Sequence, residues 1–186
     1  MAAVQIRELS VAGAWEFTPT QFGDDRGMFL ETFKTSEFEK VTGRPFELRQ
    51  ANCSVSAAGV LRGIHYTESP PGQAKYVTCV RGAFLEVIVD LRPDSPGYGT
   101  WDRVLLDDLD RKAVFLSEGL GHAIPSLEDN STVMYLCNLE YTPGVNHDLD
   151  AFDPDLAIDW PTLDRNGNPF NIIRSTKDAA APRLKK

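Results

Sequence analysis

Apolar and polar positions alternate along the chain in short runs, each closed by glycine, proline, asparagine or aspartate. In residues 84–92, Leu85, Val87, Val89 and Leu91 share one face, while Phe84, Glu86, Ile88, Asp90 and Arg92 share the other. The segment reads as a strand with one dry face and one mixed face. Residues 100–106, 113–116 and 132–137 read as further strands. The single helix signal is early: Ser36 and Glu39 have capping-box spacing, Phe38 and Val41 form the apolar pair, and Gly43 is the stop. From Asp155 onward the chain is richer in Asp, Asn and Pro and reads as irregular, with a few short turns. Many short strands with turn chemistry between them predict an all-β (mainly β) sandwich or barrel.

One stretch adds a candidate chemistry. Residues 59–77, GVLRGIHYTESPPGQAKYV, read as a β-hairpin turning at Glu68-Ser69-Pro70-Pro71-Gly72. Centring the loop near Pro70 sets His65 opposite Lys75, and directly opposed residues project from the same face.

Composition places the chain among ordinary globular proteins: 186 residues, 42% hydrophobic and 25% charged. No repeat or linker-like tract divides it, so residues 1–186 read as one domain. No apolar run approaches the roughly 18 residues of a membrane span. The N-terminus lacks a cationic start followed by an apolar block, so no secretory signal is expected and the expected location is cytoplasmic. A net charge of −8 argues against a nucleic-acid partner, though local arginines could still hold the diphosphate of a nucleotide. Cys53, Cys79 and Cys137 form neither a CxxC pair nor an even set, and read as buried free thiols.

Spacing alone leaves three readings of His65 and Lys75: a structural histidine with a surface lysine, part of a metal site, or a proton-transfer pair. The metal reading is poorly supplied. The histidines are His65, His122 and His147; no HxH pair exists, and His147 lies in a polar, loop-like stretch. In the proton-transfer reading, histidine removes a proton from a carbon acidified by a neighbouring carbonyl, and the lysine ammonium stabilises the enolate oxygen. A tyrosine on a neighbouring strand would return the proton from the opposite face, inverting a stereocentre.

Longer motifs narrow the choice. The runs LRGIHY…PPGQAKYVTCVRGA…VIVDLRPDSPGYGTW, SEGLGHA…LEDNSTVMYLCNLEYTP, DPDLAIDWP and STKDAAAP, spanning about Val11 to Pro182, resemble the RmlC-type dTDP-4-dehydrorhamnose 3,5-epimerases. The resemblance implies a cupin-like jelly-roll barrel with a few short helices, a homodimer, and neither metal nor organic cofactor. It implies a dTDP-4-keto-6-deoxyhexose substrate, dTDP-4-dehydro-6-deoxy-D-glucose, epimerised beside its C4 ketone.

By the same resemblance, His65 is the general base, Asp178 its dyad partner, Tyr135 the acid on the other face and Lys75 the enolate stabiliser. His122 matches a second active-site histidine. Arg26 and Glu31, in DDRGMFLETF, match residues that reach pyrophosphate and thymine from the neighbouring subunit. Gln50, Asn52 and Arg62 match sugar- and phosphate-side contacts, Lys177 lies beside the dyad aspartate, and Tyr141 matches a ring packed on the base. Three features depart from the family pattern. Ala123-Ile124 stands where Gly-Phe is common, Glu86 stands where aspartate is common, and residues 164–174 form an unfamiliar lead-in to Asp178. Some relatives invert only C3 or only C5. A silent nucleotide-sugar-binding barrel and a metal-dependent cupin remain as alternatives from other classes.

Overall fold

Two antiparallel sheets face one another, and the chain passes repeatedly between them. The computed structural model describes residues 4–184. In chain order the first elements are β1 (Gln5–Glu8), β2 (Ala14–Thr18), β3 (Gln21–Asp24), β4 (Gly27–Leu30) and helix α1 (Thr35–Thr42). There follow β5 (Gln50–Ser56), β6 (Leu61–Thr67), β7 (Lys75–Arg81), β8 (Ala83–Asp90) and β9 (Trp101–Asp107). The rest are β10 (Ala113–Leu116), β11 (Leu120–Pro125), β12 (Ser131–Cys137), β13 (Asn146–Asp148) and α2 (Thr176–Ala179). One sheet has the order β1-β2-β10-β7-β12-β5, the other β13-β6-β11-β8-β9. The architecture is the expected mainly β, cupin-like jelly roll with two short helices.

The hairpin expectation is wrong in an instructive way. β6 pairs with β11 and β13, whereas β7 pairs with β10 and β12, so the two strands belong to opposite sheets. The Pro-rich loop is a crossover, not a hairpin turn. Alternation and turn residues cannot separate these cases, because both need an extended strand, a break and another strand.

The dry-and-mixed reading of β8 also needs correction, since both faces are buried. Phe84 and Ile88, from the mixed face, join Val77, Cys79, Val104 and Val133 in the core between the sheets. Val87, Val89 and Leu91 pack outside, against Leu149 and Ala151 just after β13 and Leu156 and Trp160 of the irregular tail. The tail therefore covers the back of the sheet that carries His65.

Helix α1 starts at Thr35 with Lys34 as its cap and no side-chain capping bond. Ser36 thus sits inside the first turn, and the predicted capping box does not form. Phe38 is buried, meeting the Phe115 ring edge-on at 4.8 Å, but Val41 is exposed. Gly43 ends the helix as predicted, with φ 70° and its N–H donated to the Glu39 carbonyl. All three cysteines are unpaired, yet only Cys79 and Cys137 are buried; Cys53 is exposed because β5 is an edge strand with one face outward. No helix among the described residues is long and apolar enough to cross a membrane.

Candidate active site

Register explains how the polar side chains converge. On β6, His65 stands directly opposite His122 of β11 on one side and Asp148 of β13 on the other. Cross-strand partners project from one face, so the three form a polar row on the second sheet. On the first sheet, Gln50, Cys137 and Lys75 are aligned across β5, β12 and β7, and Asn52 is aligned with Tyr135 two residues along. Period two puts both rows on the same side of that sheet.

The two sets meet at a cavity of about 160 Å³, whose walls include His65, Lys75, His122, Tyr135, Gln50, Asn52, Asp148 and Lys177. Thus His65 and Lys75 do share an interior, across facing sheets rather than across a hairpin. His147, expected in a loop, instead lies on β13, lines the cavity and packs its ring 5.3 Å from that of Tyr66.

A glycine is needed just before the histidine. Gly63 has φ 109°, and a Cβ there would stand 2.5 Å from the His122 carbonyl oxygen. Only glycine lets β6 approach β11 closely at the register irregularity beside His65. Lys75 is placed by the loop before it: Asn138 Oδ1 accepts the Ala74 N–H at 2.7 Å, and Asn138 Nδ2 donates to Glu118 Oε1 at 2.8 Å. Arg44 holds Glu118 from the other side.

Asp178 approaches from α2, where Ser175 caps the helix by accepting the Asp178 N–H at 3.0 Å. Its Oδ1 lies 2.8 Å from His65 Nε2. Burial opposes ionisation, but the hydrogen bond and charge of His65, with smaller contributions from Ser175 and Lys177, hold the Asp178 carboxyl below its ordinary value. An ionised Asp178 accepts, so the Nε2 hydrogen points at it and Nδ1 keeps the lone pair.

Lys75 is buried, and that burial lowers its amine below the ordinary lysine value, partly offset by Cys137 and Glu86. Glu86 is the residue that sequence reasoning undervalued. Fully buried, it places Oε1 2.8 Å from His122 Nδ1, and its Oε2 has no hydrogen-bond partner among the described residues. Burial drives Glu86 well above its ordinary value, against the pull of Lys75. Burial, then Lys75 and His65, drive His122 well below its own. Tyr135 is raised by burial and by Cys137, and lowered by Arg62.

Asp148 was missed altogether. Its Oδ1 lies 2.9 Å from Lys177 Nζ and 3.6 Å from His65 Nε2. Its strand has only three residues, too few to show alternation. His65, Asp148 and Asp178 are the one group of side chains among the described residues that could together hold a cation, with ligand atoms within 4.8 Å of one another. Lys177 already supplies a positive charge there.

The other anticipated residues divide. Gln50 Oε1 accepts the Tyr141 N–H at 2.7 Å, and Gln50 Nε2 donates to Asn52 Oδ1 at 2.8 Å, so these three form one rim with the exposed Tyr141 ring. Arg62 stands behind the wall, donating to Ser56 Oγ and the Val55 carbonyl. Arg26 and Glu31 are not brought to the cavity within one chain. Arg26 pairs with Asp24 at the tip of the separate β3–β4 hairpin, and Glu31 pairs with Lys34 beyond its end. Ile124 packs into the core between the sheets and does not line the cavity.

The chain matches the family described as dTDP-4-dehydrorhamnose 3,5-epimerase over residues 8–186. It belongs to that family, whose members are isomerases. It is 52% identical to the dTDP-4-dehydrorhamnose 3,5-epimerase of Mycobacterium tuberculosis H37Rv over 179 residues, which is 96% of this chain and 87% of that protein. It is also 52% identical to a dTDP-4-dehydrorhamnose 3-epimerase of Streptomyces niveus, over 86% of this chain and 77% of the relative. Among solved structures, the RmlC epimerase of M. tuberculosis superposes with a TM-score of 0.91, covering 96% of this chain and 88% of that one. The ChmJ 3'-monoepimerase of Streptomyces bikiniensis, in complex with dTDP-quinovose, superposes at 0.85 with 45% identity over 94% of this chain and 85% of that chain.

Proposed function

We propose that this epimerase converts dTDP-4-dehydro-6-deoxy-D-glucose to dTDP-4-dehydro-L-rhamnose by inverting C3 and C5, as one domain acting in the cytoplasm. The carrying observation is that His65 and Tyr135, on facing sheets, line one cavity with Lys75. Inversion needs a base on one face of the sugar and an acid on the other.

In this reading His65 Nδ1 takes the proton from the carbon beside the ketone, and the C–H electron pair moves to the C4 oxygen as an enolate. Asp178 fixes the tautomer and balances the imidazolium. Lys75 donates to the enolate oxygen inside a water-poor site, where such a bond is strong. Tyr135 gives its hydroxyl proton to the opposite face as the enolate collapses to the ketone; the His65 imidazolium then releases its proton to solvent and the Tyr135 phenolate takes one back. Every step uses side chains of this chain.

Burial fractions and cavity size favour a shared nucleotide site. A cavity of about 160 Å³ is below the ~300–1,000 Å³ typical of sites for larger ligands, so the nucleotide must lie outside it, along the rim. The β3–β4 hairpin exposes Phe22, Met28 and Phe29 beside Arg26. Exposed apolar residues on a hairpin that pairs only with itself suit burial against a second copy. We assign a homodimer in which this hairpin carries Arg26 and Glu31 to the partner's diphosphate and base, opposite the rim of Gln50, Asn52 and Tyr141, with Arg62 on the phosphate side.

The test is solvent deuterium incorporation. Incubation with dTDP-4-dehydro-6-deoxyglucose in D2O, followed by NMR, is expected to show exchange at both C3 and C5. Exchange at one carbon would make the protein a single-centre epimerase, the activity named for the S. niveus relative. No exchange with dTDP still bound would leave a silent binder.

A further inference from the structure

The same oxygen of Asp148 serves two cations, or potential cations. Oδ1 is 2.9 Å from Lys177 Nζ and 3.6 Å from His65 Nε2, while Asp178 holds that Nε2 at 2.8 Å. The two partners of Asp148 differ in freedom. The Lys177 side chain is 69% exposed at the cavity mouth, whereas the Asp148 side chain is 19% exposed and sits on a strand in register with His65. The lysine head can leave; the carboxylate cannot.

We propose that Asp148 is a positioning residue whose charge is masked by Lys177 while the two are paired and handed to His65 when a diphosphate draws Lys177 away. This rests on the reading of the site as one for a nucleotide diphosphate sugar. The hydrogen bond with Asp148 is the main cause that raises the Lys177 amine above its ordinary value. An ammonium at 2.9 Å offsets part of the field that one carboxylate projects onto a neighbour. A diphosphate carries more negative charge than a carboxylate and competes for the same ammonium. Once Lys177 turns to the phosphates, Asp148 acts without that offset on an imidazolium already held by Asp178. Lys177 and Asp178 are also adjacent in the four-residue helix α2, so the sensor and the dyad partner share one rigid turn. Binding of the nucleotide end would thereby prepare the base at the sugar end.

The probe is dTDP itself, which has the diphosphate and no ketone, so the response is read apart from epimerisation. The ring-nitrogen NMR signals of His65 are followed as dTDP is added to wild type, Asp148→Asn, Asp148→Glu and Lys177→Met. A dTDP-dependent shift is expected in wild type, retained in Asp148→Glu and lost in Asp148→Asn although dTDP still binds. In Lys177→Met the free protein should already show the signal position that dTDP brings about in wild type. Turnover should split the same way, with Asp148→Asn lowering kcat about tenfold and Lys177→Met acting mainly on KM. A latch that merely closes the site would make the two variants alike, since both remove one ion pair. Equal shifts in wild type and Asp148→Asn, or a free Lys177→Met that matches free wild type, would overturn the handover. Failure of wild type to bind dTDP would instead overturn the proposed function. If Asp148→Asn does not fold, the Lys177→Met signal decides alone.

Discussion

Glu86 Oε1 lies 2.8 Å from His122 Nδ1, and the carboxyl's other oxygen, equally buried, meets no donor among the described residues. Such a group is costly when ionised, and burial accordingly drives it well above the ordinary 4.5. The sign follows from proton binding. The folded chain holds this proton more tightly than the unfolded chain, so its stabilising contribution is complete below 4.5 and is lost as pH rises through the folded value.

Glu86→Gln should therefore remove a falling limb from the stability-against-pH curve above 4.5, by up to about 1.4 kcal/mol per pH unit. Denaturant unfolding of both proteins across neutral pH measures the difference. Parallel curves for the two proteins would show that Glu86 is ionised throughout, as the partner of Lys75.

His65→Asn should cut deuterium exchange at C3 and C5 by roughly 10²–10⁴, the range for a general base, and leave dTDP affinity nearly intact. Asp178→Asn removes the charge that balances the imidazolium and can present an NH2 to Nε2, favouring the wrong tautomer, so it should lower the same rate with little change in binding. Single-turnover exchange with a parallel dTDP titration separates the two effects. Substantial exchange in His65→Asn would reassign the base, and His122, its cross-strand neighbour, would be next in line.

Lys75 gives the reaction an alkaline limit. Its amine is held below 10.5, chiefly by burial, while burial raises the Tyr135 hydroxyl above 10.0. As pH rises, the ammonium that stabilises the enolate is lost, and turnover should decline at a pH below 10.5. Lys75→Arg keeps a cation that stays charged in proteins, so its slower reaction should retain activity to higher pH. A limb that stays in place would belong to Tyr135 instead.

How much of this was legible in the sequence differs by residue. Apolar runs closed by turn residues located β8, β10 and β12 to within about two residues, because each is an extended segment with buried side chains, on both faces in β8 and β10. They could not say which strands pair, since pairing of β7 with β12 and β6 with β11 is long-range. Hence the hairpin was wrong while its conclusion, that His65 and Lys75 share an interior, was right. Glu86 carried a readable signal, a carboxylate flanked by apolar residues, but Asp90 and Arg92 on the same alternation made that face read as mixed. Asp148 carried none, because β13 owes its place to β6 and not to its own three residues.

The shared site makes the sharpest prediction of the dimer. Arg26 sits on a hairpin away from the cavity of its own chain, and its side chain is 90% exposed. If it serves the partner's nucleotide, Arg26→Ala and His65→Asn should each be nearly inactive at low substrate, the first through weak binding and the second through lost chemistry. In a mixed dimer one site collects both defects and the other collects neither. Random exchange of equal amounts makes half the dimers mixed, each with one intact site, so activity should recover to about a quarter of wild type. Mixing after mild dissociation and assaying at low substrate reads this directly. Recovery near that level would place Arg26 across the interface. No recovery, with mixed dimers demonstrated by mass, would mean that Arg26 acts within its own chain or not at all.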